Sequence, residues 1–132
     1  MAFLEWSSAL KIGVHAMDEE HRVLVELMNR LHRYVESGAP RATVASALQA
    51  LFDYTVEHFR EEEAYMRRIG FSGYRMHCIT HQHLVSKLAG FRDAFVAGTS
   101  SLDAKFFSFL KLWLSAHILE IDKKYVEAAS AA

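Results

Sequence analysis

The residues Val44, Leu48, Leu51, Thr55, His58, Glu62, Tyr65 and Ile69 recur at alternating steps of four and three. That rhythm is the buried stripe of an amphipathic helix packed in a bundle, and it carries a histidine and a carboxylate into the core. Within HFREEEAYM (58–66), Glu61 lies about 100° around the helix from Glu62 and falls with Arg60 and Arg67 on the solvated side. A carboxylate on a core stripe is too costly to stand unpaired. Glu62 therefore requires partners from elsewhere in the chain.

Three further segments share the rhythm, and turn-forming stretches separate them: SGAP at 37–40, IGFSG at 69–73 and GTSS at 98–101. The first stripe is His21, Leu24, Met28, Leu31, Val35; the third is His77, His81, Leu84, Leu88, Phe91, Phe95; the fourth is Leu102, Phe106, Leu110, Trp113, His117. Asp18 is the expected N-cap of the first helix, Pro40 opens the second and Gly98 ends the third. The predicted helices span about 18–36, 40–68, 74–97 and 101–122, after an N-terminal arm of residues 1–17, within one domain of residues 1–132. No strand-like alternation competes, and the short connections predict an all-α, antiparallel up-down-up-down four-helix bundle.

Composition narrows the function classes. Fifteen Lys and Arg against sixteen Asp and Glu leave no basic footprint for nucleic acid. The richest apolar run, FFSFLKLWLSAHIL at 106–119, is broken by Lys111 and His117 and reads as a bundle helix, so membrane insertion is not expected. The single cysteine, Cys78, cannot form an internal disulfide, and the simplest setting is a reducing cytoplasm. A monomer is expected. Histidine is the unusual count, at eight.

Phase and height sort those eight. His21 is near the start of the first helix, His58 near the end of the second, His77 and His81 near the start of the third and His117 near the end of the fourth. In an up-down-up-down bundle these positions share one end, so five imidazoles and Glu62 converge in one core layer. His83 points away from His81, His32 lies roughly 16 Å further along the first helix, and His15 precedes that helix. Five buried imidazoles among Leu, Phe, Trp and Ile lack hydrogen-bond partners unless they hold metal. Imidazole suits iron, zinc, copper and nickel; five exceed one tetrahedral site, so two ions are implied, with Glu62 as a natural bridge.

A second bridging carboxylate is expected on the fourth helix. Glu120 lies about 60° from His117 in an ideal helix and Asp122 about 140°, so geometry favours Glu120. Asp122 becomes available if the helix carries a π-type turn at its end, a deviation common at functional sites.

The segments IGVHAMDEEHRVL (12–24), HFREEEAYM, HCITH (77–81) and WLSAHILEID (113–122) resemble the hemerythrins, in particular the small bacterial ones, over nearly the whole chain. The resemblance implies two iron ions with an oxo or hydroxo bridge. It maps His117 and Asp122 onto the family's HxxxxD pair, making Asp122 the second bridge and Glu120 the runner-up. It places His77, His81 and His117 on one iron and His21 and His58 on the other, with Glu62 and Asp122 shared. An open position on the second iron would bind O2 reversibly, beside Leu24, Phe59, Trp113, Leu114 and Ile118 as pocket lining. The implied function is oxygen storage or delivery to an oxygen-consuming enzyme, without catalysis by the protein itself. A di-iron oxygen or redox sensor, a peroxidase- or oxidase-type enzyme and a metal store are the alternatives. Ferritin-like di-iron enzymes carry paired Glu-x-x-His motifs, which this chain lacks, and a histidine-rich shell favours binding O2 over cleaving it.

Overall fold

In the computed structural model, residues 3–7, 10–99, 101–125 and 127 are described, apart from the side chains of 119–121. Four helices run in chain order: α1 His15–Glu36, α2 Arg41–Arg68, α3 Tyr74–Val96 and α4 Ala104–Ala116, the last continuing into a π-helical turn, His117–Asp122. They form the expected antiparallel bundle. Among the described residues no helix is long and apolar enough to cross a membrane.

The four stripes supply the core. Leu24, Met28 and Leu31 of α1, Leu48 and Leu51 of α2, Leu88 of α3 and Phe106 and Leu110 of α4 are all but fully enclosed. Complete burial of a Leu or Phe side chain contributes about 1.5–3 kcal/mol, so this apolar shaft is a principal source of the fold's stability. On α2, His58 and Glu62 are buried while Arg60, Glu61 and Arg67 are exposed. The phase read from Val44 to Ile69 is the phase of the fold.

The third helix begins at Tyr74 as expected, whereas the other starts depart from the predicted positions, each for a local reason. Asp18 is not the N-cap of α1; the helix begins at His15, and Asp18 sits in the first turn. Its carboxylate accepts the backbone N–H groups of Ile12 (2.8 Å) and Gly13 (3.2 Å), tying the arm onto the helix it precedes. His15 is consequently the first residue of α1, on its exposed side, instead of preceding the helix. Pro40 stands just before α2 in an extended conformation. In α4 the cap is Asp103, whose carboxylate accepts the Phe106 N–H at 3.2 Å, so Leu102 lies outside the helix yet remains buried. Gly98 does end α3: its φ of +77° turns the chain in a way a Cβ would disfavour.

The arm also docks at the far end of the bundle. Asn29 accepts the Leu4 N–H (2.7 Å) and donates to the Leu4 carbonyl (2.8 Å). Phe3 stacks on His32 with ring centroids 4.7 Å apart, and Phe107 meets the same imidazole edge-on. His32 is thus held in an aromatic cluster, well apart from the other stripe histidines.

Candidate metal centre

At the opposite end, His21 of α1, His58 and Glu62 of α2, His77 and His81 of α3, and His117 and Asp122 of the π turn are all buried. Their donor atoms form two overlapping groups, within each of which the atoms lie no more than 4.8 Å apart. One contains His77, His81 and His117, the other His21 and His58, and both contain Glu62 and Asp122.

The two carboxylates divide their oxygens between the groups. Glu62 Oε1 lies 2.8 Å from His81 Nε2, 3.1 Å from His77 Nε2 and 3.5 Å from His117 Nε2. Its Oε2 lies 3.4 Å from His58 Nε2 and 3.6 Å from His21 Nε2. Asp122 repeats the pattern, with Oδ1 3.0 Å from both His77 and His117 Nε2 and Oδ2 3.2 Å from His21 Nε2. Each carboxylate therefore spans from the three-histidine group to the two-histidine group.

The π turn makes the Asp122 placement possible. Hydrogen bonding from i to i+5 widens the turn, so a residue five positions on comes back much nearer the starting face than the roughly 140° of an ideal α-helix. The side chain of Glu120, the competing bridge, lies outside the described residues.

The electrostatics are those of a cation site. Burial raises the carboxyl pKa values, but the close approach of His117, His21, His58 and His77 holds Glu62 well below its ordinary range. Asp122 is likewise lowered: burial and the Glu62 charge oppose ionisation, and His117 and His21 together outweigh them. Burial disfavours the imidazolium of His58, yet Glu20 and Glu62 raise its pKa to about 9. Burial also opposes protonation of His117, and Asp122 with Glu62 raise it to about 10. His21 Nε2, His58 Nε2 and both Asp122 oxygens are buried without a well-formed hydrogen bond. Buried polar atoms in such number call for another partner, and imidazole nitrogens with carboxylate oxygens are a donor set that fits iron.

Three functional residues escape the stripe argument. Glu20 Oε1 lies 2.7 Å from His58 Nδ1, and Glu63 Oε2 lies 2.8 Å from His81 Nδ1, so each carboxylate orients an imidazole through its far nitrogen. Tyr125 is fully buried and its hydroxyl donates to Glu62 Oε2 at 3.1 Å. Glu20 and Glu63 each adjoin a stripe residue in sequence, and Tyr125 follows Asp122 by three positions, a helical spacing that was the available signal.

The predicted pocket residues are buried as well. Phe59 lies flat on His81, centroids 3.8 Å apart, and 5.6 Å from Trp113, whose ring is nearly parallel to His117 at 6.1 Å. Leu24, Leu114 and Ile118 are each at most 1% exposed.

This architecture defines a class, the helical bundle with a buried histidine and carboxylate metal-binding cluster at one end. Residues 12–129 match the model of the hemerythrin HHE cation binding domain, and the chain belongs to the hemerythrin family. It is 32% identical to a bacteriohemerythrin of Methylococcus capsulatus over 99% of this chain and 100% of that protein. It is also 32% identical to a myohemerythrin of Sipunculus nudus, over 84% of this chain and 90% of the relative. A crystal structure of wild-type hemerythrin superposes with a TM-score of 0.90 at 31% identity, covering 98% of this chain and 99% of that one.

Proposed function

We propose that the chain binds O2 reversibly at a pair of iron ions, for storage or for delivery to an oxygen-consuming enzyme. In this reading His77, His81 and His117 would hold one iron and His21 and His58 the other, with Glu62 and Asp122 shared between the two. The iron pair would supply the electrons and the open coordination position that O2 requires. The observation that carries the reading is the division of the Glu62 and Asp122 oxygens between unequal histidine groups, which leaves one ion a ligand short.

The protein's own task is positioning and exclusion of water. Glu20 and Glu63 fix the rings of His58 and His81. Phe59 and Trp113 pack on the rings of His81 and His117, and with the buried Leu24, Leu114 and Ile118 they would present apolar surface that disfavours water as a competing ligand. The shared donor set is rich in imidazole and holds only two carboxylates, which favours binding O2 over cleaving it and so a carrier over an enzyme.

The test is spectroscopic. Iron-loaded protein reduced without oxygen is exposed to air and then returned to anaerobic conditions. Charge-transfer bands that appear with O2 and vanish on its removal are expected. Bands that form once and persist would instead favour an oxidase-type enzyme or a redox sensor.

A further inference from the structure

Tyr125 adds an asymmetry that the ligand set alone does not contain. Once the five imidazoles are turned to metal through Nε2, none of those nitrogens carries a proton to donate to Glu62 or Asp122. Among the described residues the Tyr125 hydroxyl is then the one remaining hydrogen-bond donor to either carboxylate, and it engages Glu62 Oε2 at 3.1 Å. That oxygen faces His58 and His21, the two-histidine side. We propose that Tyr125 is a positioning residue that locks Glu62 in its bridging orientation and thereby sets the affinity for the second, two-histidine metal. This rests on the two-metal reading given above and extends it to a residue outside the ligand set.

The packing of the ring supports the role. Tyr125 is fully enclosed and lies 5.4 Å from Tyr65 of α2, 6.3 Å from Phe71 of the α2–α3 turn and 5.7 Å from the His77 ring of α3, centroid to centroid. Three separate segments fix the hydroxyl, so it can fix a carboxylate in turn. The first metal keeps three imidazoles and Oε1 if that restraint is lost. The second has only two imidazoles and depends more on Oε2 being held in place.

Cobalt(II) titration of the metal-free chain, followed by visible absorption, separates the two sites without any oxygen chemistry. Tyr125→Phe is expected to bind the second equivalent about 10-fold more weakly, the lower end of what loss of an outer hydrogen bond to a ligand costs. The first equivalent is expected to weaken by clearly less than that factor of roughly 10. Tyr65→Phe, which removes a hydroxyl from the neighbouring ring, should change neither step. Equal weakening of both equivalents, or none, would overturn the proposal. So would restored binding in Tyr125→Leu, which keeps apolar volume but no hydroxyl. A parent chain that binds a single cobalt would overturn the two-metal reading itself, while failure of reversible oxygenation with both cobalt steps intact would leave the Tyr125 assignment standing.

Discussion

Glu62 illustrates how much one side chain can commit a fold to. It is fully buried, faces five imidazoles and accepts from a phenol. Glu62→Ala is expected to lose both irons, whereas His83→Ala, at an exposed position of α3, should retain about two per chain; elemental analysis after gel filtration checks both. Asp122→Ala should also lose metal and Glu120→Ala should keep it, and the reverse result would reassign the bridge. Glu20→Gln and Glu63→Gln leave the ligands in place but take a charge from His58 Nδ1 and His81 Nδ1, so each should weaken iron binding by about 10–100-fold in competition with a chelator. These two carboxylates were not legible in the sequence. Stripe phase locates a Cα on a helix face, and the partner of a far ring nitrogen depends on how the imidazole rotates.

At the level of elements, most of the fold was legible because each helix repeats its message several times. The α2 stripe states its phase in eight residues, and a misread at one position leaves the rest intact. Helix starts carry no such redundancy. Asp18 has the right chemistry for a cap but spends its carboxylate on the N–H groups of Ile12 and Gly13, and only the path of the arm decides between those uses. The π turn was legible as a condition, the one under which Asp122 rather than Glu120 would bridge, because ideal-helix geometry alone pointed the other way. Its length can be tested directly. Deleting Leu119 should let this segment close as ordinary α-helix, with the His117 and Asp122 side chains four apart and about 40° from alignment, and metal binding should survive. Inserting an alanine after Leu119 turns the carboxylate about 120° away and should abolish it. Metal content per chain distinguishes the outcomes.

For the whole molecule the polar layer sets a dependence on pH and on metal. In metal-free protein the raised pKa values of His58 and His117 contribute stability that is complete below the unfolded value near 6.5. That contribution is lost as pH rises through about 9 and about 10. The lowered Glu62 and Asp122 contribute in the opposite sense, fully above the ordinary carboxyl range and less as pH falls through their folded values. Thermal unfolding of chelator-treated protein should therefore be most favourable to the fold in mildly acidic solution and weaken towards pH 10. Iron requires neutral imidazoles, so loading at pH 7 should release at least about two protons per chain, from His58 and His117, measurable in weakly buffered solution.

The convergence of all four helices on this one layer also alters what a peptide bond is needed for. His81 and His117 meet at 3.2 Å between their Nε2 atoms although the turn after Gly98 lies between them in the chain. With metal bound, that turn is no longer the only bonded link between α3 and α4, which also pack through Phe91 on Phe106 and Phe109. A protease cut in it should yield two fragments that travel as one particle and that separate at lower denaturant once a chelator strips the iron, so the metals would act as rivets between pieces of a severed chain.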